Sequence, residues 1–149
     1  MAYIDSDTRC NGHGRAFSTQ KVLANSFLNE EIFRLTVTWT GPAPKAGQFF
    51  LVRPARTSIF LGRPISVATW DESGQLGFLI ALRGSGTQEL GRLASGEEVE
   101  LIGPLGSSWL EVAKGELAKS MLPQKPLALI GGGIGIAPLI QLARELPKD

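Results

Sequence analysis

Three short stretches of this sequence combine residue types and spacings that suit anion and nucleotide chemistry. The first is Arg63-Pro64-Ile65-Ser66, entered from Gly62. A guanidinium binds two phosphate oxygens in parallel, and the proline beside it restricts the backbone that carries it. Ser66 would offer a hydroxyl to the edge of a ring. A plain exposed Arg-Pro turn explains the same residues. The second stretch is Gly84-Ser85-Gly86-Thr87, leading into a short helical pattern. Glycines let backbone amides approach an anion closely, and a helix N-terminus adds the positive end of its dipole. Thr87 would serve as helix cap and phosphate ligand together. A capped glycine turn with no ligand is the alternative.

The third stretch is Gly131-Gly132-Gly133-Ile134-Gly135-Ile136-Ala137-Pro138-Leu139. It follows the apolar run 127–130 and opens the helix-like run 139–146, so it reads as strand, glycine turn and helix. That is the opening of a dinucleotide-binding unit. The fingerprint asks for a third glycine where Pro138 stands. Proline is tolerated in a first helical turn because it gives up an amide with no intrahelical partner. The fingerprint's acidic residue, about twenty positions on, would fall past Asp149. A single strand and helix cannot make a parallel sheet, so the sequence reads as a piece of a longer two-domain protein.

Other chemistries are disfavoured. Cys10 is the only cysteine and His13 the only histidine, both in the polar start of the chain. One cysteine makes neither an internal disulfide nor a four-thiolate iron–sulfur site. No catalytic nucleophile system and no metal site can be assigned. The net charge is +1 with no basic block, which argues against nucleic-acid and membrane-surface partners. No apolar run approaches the ~20 residues of a membrane helix, and the start lacks a signal-peptide core. A cytoplasmic setting is expected.

Elements that would position these stretches follow from the hydrophobic pattern. Phe33, Leu35, Val37 and Trp39 alternate with Arg34, Thr36, Thr38 and Thr40, the mark of a half-buried antiparallel strand. Weaker strand patterns cover residues 16–27, 48–52, 65–70 and 76–82. Asp71-Glu72-Ser73-Gly74 makes a hairpin loop between the last two. Residues 87–93 read as a short helix with Thr87 as candidate N-cap. Residues 97–102 form a further strand, broken by Gly103-Pro104. Trp109, Leu110 and Val112 start a hairpin or loop, and residues 117–122 make a short helix. With 18 glycines and 9 prolines for turns, the pattern predicts a mainly β protein. Its six-stranded antiparallel Greek-key barrel is followed by the first β-α unit of an α/β domain. The expected division is a tail over 1–14, a barrel over 15–105, a connection over 106–125 and the incomplete start of a nucleotide-binding domain over 126–149. A strand at 127–130 would expose pairing edges, so self-association is expected.

The three motifs, in this order and spacing, resemble the ferredoxin-NADP reductase superfamily. Within it they most resemble the electron-transfer subunits of bacterial dihydroorotate dehydrogenase, whose members also carry a turn like Gly103-Pro104-Leu105-Gly106. The resemblance covers residues 15–147. It implies an FAD-binding barrel, with Arg63 near the phosphates and Ser66 near the flavin ring. Pro64 and Ile65 would complete that turn. Leu79, Ile80 and Ala81 match positions that touch FAD, although relatives often carry a basic residue where Ala81 stands. Gly84, Gly86 and Thr87 would hold the pyrophosphate. Gly131, Gly132, Gly133, Gly135 and Pro138 would face NAD(H). The resemblance further implies a [2Fe-2S] cluster, whose cysteines are not in this sequence. It implies as partner a flavin-containing dihydroorotate dehydrogenase catalytic subunit of pyrimidine biosynthesis. Two alternatives remain at this point: a reductase subunit of a hydrogenase, sulfite reductase or oxygenase system, or a barrel interaction module without cofactor.

Overall fold

The computed structural model describes residues 16–113 and 128–146. Six strands form a closed antiparallel barrel: β1 (Ala16–Phe27), β2 (Ile32–Thr38), β3 (Phe49–Pro54), β4 (Arg63–Trp70), β5 (Gln75–Ala81) and β6 (Glu98–Leu105). Their order around the barrel is β1-β2-β5-β4-β3-β6. The long β1 closes the ring by changing partner midway. Its first half pairs with β6, from Ala16↔Gly103 to Lys21↔Glu98. Its second half pairs with β2, from Val22↔Val37 to Phe27↔Phe33. The register shifts between Val22 and Ala24, an extra residue that bends the strand from one neighbour to the other.

The alternation seen in the sequence is the alternation of the core. Phe33, Leu35 and Val37 of β2 are fully buried with Leu76 and Phe78 of β5, Phe50 and Val52 of β3, and Leu101 of β6. Trp39, Phe50 and Phe78 form an edge-to-face chain, with centroids 4.8 Å and then 5.8 Å apart. Helix α1 (Ser85–Arg92) contributes Leu90 to the same core. The Asp71–Gly74 turn closes the β4–β5 hairpin as expected, with the Gly74 amide donating to the Asp71 carbonyl at 3.0 Å.

Several expectations are corrected. Gly103-Pro104 does not break the last strand, because β6 continues to Leu105. Between Phe49↔Leu105 and Leu51↔Ile102 the register shifts, so Gly103 and Pro104 together face Phe50. A bulge accommodates a residue without an amide hydrogen. Glycine is required at 103, since a Cβ there would lie 2.3 Å from the Phe50 ring. Trp109, Leu110 and Val112 belong to a short helix, α2 (Trp109–Ala113), and not to a hairpin. The strand expected at 127–130 is not formed over Ala128, Leu129 and Ile130, which have no regular structure; Ile130 is 90% exposed. No parallel neighbour is present among the described residues to pair with it. The edge that would drive self-association is therefore not presented as a strand. The final helix, α3 (Ala137–Glu145), starts two residues earlier than the pattern indicated. The tail over 1–14, the helix expected over 117–122 and Leu127 lie outside the described residues.

Two outcomes follow from this packing. Phe50→Ala removes the ring at the centre of the aromatic chain and should cost ~3–5 kcal/mol in urea unfolding; a loss below ~1 kcal/mol would contradict the core described. Asp71 carries the second. Its carboxyl is held below the usual carboxylate range, chiefly by the hydrogen bond from the Ser73 hydroxyl and also by the Gln75 and Ser73 amides. A lowered folded value means the contribution is present above the ordinary value of 3.8 and is lost as pH falls through the folded value. The stability gap between the wild type and Asp71→Asn should therefore shrink from pH ~5 to below pH ~3. A gap that does not change with pH would refute it.

Candidate functional site

The second motif becomes an uncapped helix end. The expected N-cap, Thr87, is not at the cap: α1 begins at Ser85, so Gly84 is the N-cap and Thr87 the third helical residue. The Thr87 hydroxyl reaches back, accepting from the amides of Arg83 at 2.8 Å and Gly84 at 3.2 Å and donating to the Gly84 carbonyl at 3.0 Å. Thr87 thus ties the turn to the helix. Glycine has no side chain to accept from the first helical amides, so those of Ser85, Gly86 and Thr87 keep no capping partner. No acidic residue stands in the first turn.

The first motif is brought onto this end. Arg63 starts β4 opposite Val52 of β3. Its guanidinium lies against buried Gly86, where a Cβ would meet Nε at 2.5 Å and Nη2 at 3.1 Å. Any other residue at 86 would displace that side chain. Among the described residues the Arg63 guanidinium makes no hydrogen bond or ion pair. A fork of cationic donors thus lies beside a helix end whose first amides have no capping side chain among the described residues, an arrangement suited to a phosphate or pyrophosphate.

Next to this cradle the barrel wall opens. The β4–β5 ladder holds from Trp70↔Leu76 to Val67↔Phe78 and goes no further. Beyond it, Arg63, Pro64, Ile65 and Ser66 pair only with β3, while Leu79, Ile80 and Ala81 pair only with β2. The two lips present backbone groups with no strand partner across the seam, suited to a planar heterocycle with donors and acceptors on its edge. The Ser66 hydroxyl has no partner among the described residues. Ile80 is 1% exposed and points into the core, so only its backbone reaches the lip. Pro64 is exposed; Ile65, Leu79 and Ala81 are half-buried.

The third motif lies on the same side of the barrel. Residues Gly133–Ile136 form a 3₁₀ turn packed against β5, and α3 packs along β4. Gly133 has φ +54, and a Cβ at Gly131 would meet Leu139 at 2.9 Å and the Ile136 backbone at 3.1 Å. Pro138 sits in the first turn of α3, where its missing amide costs nothing. Gly131, Gly132 and Gly135 are exposed. The sequence reading missed what fixes this helix. Gln141, 4% exposed, accepts from the Trp70 amide at 2.9 Å and donates to Glu145 at 2.8 Å. Glu145 in turn accepts from the Ala46 amide at 2.8 Å. The signal was an amide and a carboxylate four apart on one helix, which pair on one face. No group of three metal-ligating side chains occurs among the described residues.

No protein-family model matches the chain. It is 38% identical over 129 residues to the electron transfer subunit of dihydroorotate dehydrogenase B (NAD(+)) from Clostridium perfringens, covering 87% of this chain and 47% of that protein. Its fold matches a ferredoxin NADP+ reductase from Neisseria gonorrhoeae with bound FAD and NADP: TM-score 0.68, 21% identity, 88% of this chain and 51% of that one. It also matches a cytochrome P450 reductase from Amycolatopsis: TM-score 0.68, 27% identity, 94% and 41% of the two chains. The barrel is thus that of the ferredoxin reductases, and the chain is a relative of the dihydroorotate dehydrogenase electron transfer subunits. It spans about half the length of the curated relatives it matches.

Gly86→Ala separates cradle from fold. Alanine suits a helix interior better than glycine by ~0.5–1 kcal/mol, and the atom it displaces is the mobile end of Arg63. Thermal stability should be unchanged or higher, while inorganic pyrophosphate binding by calorimetry weakens about tenfold. Unchanged pyrophosphate affinity would show that Gly86 and Arg63 do not form an anion site.

Proposed function

We propose that this chain is the FAD-binding electron-transfer module of a two-domain reductase, in which a barrel over 15–105 holds FAD and residues 126–149 begin a NAD(H)-binding domain joined through 106–125. The observation that carries the reading is the approach of the Arg63 guanidinium to Gly86 beside three uncapped amides. The residues fit the cofactor's parts in order along the seam. Arg63, Gly84, Gly86 and Thr87 would hold the pyrophosphate by charge and by backbone donors. Ser66 and the backbones of Pro64, Ile65, Leu79, Ile80 and Ala81 would hold the ring system between the two strand lips. Gly131, Gly132, Gly133, Gly135 and Pro138 would admit a nicotinamide nucleotide from the β5 side.

FAD supplies the redox chemistry when bound, exchanging a hydride with a nicotinamide and electrons with a further acceptor. The protein's own work is orientation and exclusion. The seam fixes the ring edge by backbone hydrogen bonds, and the α3 latch of Gln141 and Glu145 keeps the glycine turn against β5. The chain's single cysteine does not fit a [2Fe-2S] cluster, which takes four ligands.

As partner we infer a dihydroorotate dehydrogenase catalytic subunit in the cytoplasm, exchanging electrons with NAD(H) through this module. The 30–38% identical relatives support that partner. A second reading, a reductase serving another acceptor such as a monooxygenase, draws on the likeness to the Amycolatopsis reductase. Co-purification with a dihydroorotate dehydrogenase subunit or with a different redox partner distinguishes them.

The test of the module itself is an absorption spectrum of the purified chain followed by FAD titration. Bound FAD is expected, with Arg63→Ala weakening it about tenfold to a hundredfold. A protein that stays colourless at excess FAD would overturn the reading.

A further inference from the structure

Helix α1 has a second anchor, at the end away from the cradle. Asn25, on β1 opposite Leu35 of β2, lies beside the last turn of the helix. Its side-chain Nδ2 donates to the carbonyls of Leu90 at 3.0 Å, Gly91 at 3.2 Å and Leu93 at 2.9 Å. A helix leaves its last carbonyls short of intrahelical donors, and here one side-chain amide from a strand donates to those of Gly91 and Leu93 and shares that of Leu90 with the Leu93 amide. The usual device, a left-handed glycine after the last turn, is absent: Leu93 caps the helix in an extended conformation. Gly91 packs closely beside Asn25's bonds, with the place of a Cβ 3.3 Å from both Phe27 and Leu82.

We propose that Asn25 is a positioning residue for cofactor binding: by clamping the C-terminal end of α1 to β1 it fixes the direction of the helix, and so the placement of the Ser85, Gly86 and Thr87 amides against Arg63. The inference rests on the FAD reading above. The helix has eight residues and is about 12 Å long, a short rigid lever. A tilt at the Leu93 end moves the opposite end by a comparable distance. The contact at the middle, from the Thr57 hydroxyl to the Glu89 carboxylate, acts as a pivot and does not fix the direction alone. Leu90 holds depth, since it is buried in the core. Just past the helix the Ser95 hydroxyl and the Gly96 amide bond to the Leu23 and Val22 carbonyls of β1, but on the last turn itself the side-chain clamp is Asn25, whose sequence position on a plain β1 gives no sign of the role.

The experiment measures FAD affinity and melting temperature for the wild type, Asn25→Leu and Asn25→Gln. Leucine keeps the volume and removes the donor; glutamine keeps the donor. At a temperature where circular dichroism shows all three folded, Asn25→Leu should bind FAD about tenfold more weakly, as for a lost helix cap. Asn25→Gln should recover most of that affinity. Should Asn25→Leu not fold, Asn25→Ala, smaller and without a donor, is read in the same way. A folded donor-less variant that binds FAD as tightly as the wild type would overturn the inference, as would a melting temperature that falls with affinity unchanged. Wild type that binds no FAD at all would instead overturn the reading on which the inference rests.

Discussion

Closure of the barrel by β1 is the constraint on which everything else depends. One strand pairs with β6 through Ala16–Lys21 and with β2 through Val22–Phe27, turning between them at a bulge. With the ring closed on that side, a seam is left across the barrel where the β4–β5 ladder stops at Val67↔Phe78. The same strand carries Asn25 to the end of α1. A single element therefore shuts the barrel, leaves the opening opposite and orients the helix that borders it. Strand exchange at a bulge lets these three tasks share twelve residues.

The core was legible because a barrel writes a strict period of two. Phe33, Leu35, Val37 and Trp39 announce β2, and Leu76, Phe78 and Ile80 announce β5, since each inward side chain must be apolar and each outward one need not be. The motif residues stood out for a different reason: glycine and arginine at this spacing suit backbone approach to an anion, a local property. What failed was whatever depends on a residue far away. Gly103-Pro104 looks like a strand breaker until Phe50 is known to fill the space beside Gly103. The run at 127–130 looks like a strand because its residues are apolar, but a strand needs a neighbour. Thr87 was misplaced by three residues because a hydroxyl that reaches back from the third helical position has the same composition as one that caps.

Polar latches, rather than an apolar face, join α3 to the barrel. Gln141 and Glu145 take the amides of Trp70, at the end of β4, and Ala46, in the turn before β3. An apolar face would slide over several nearly equal packings; two amides from separate parts of the barrel admit one. The glycine turn that precedes α3 is thus set relative to β5 by hydrogen bonds made on the far side of the helix. Ile130 beside the turn is 90% exposed, while Ala137 at the start of α3 is buried and adds apolar contact to these bonds.

Gly84 at the head of α1 has a consequence for the protein as a population. A serine or aspartate there would satisfy the helix amides permanently. Glycine leaves them without a side-chain acceptor, so with the proposed anion bound there the occupied and empty chains would differ in how completely the fold is finished. Occupancy then adds to stability by mass action, rising with the logarithm of ligand concentration. In a cell that degrades partly open chains, supply of the anion would set the abundance of the protein as well as its competence.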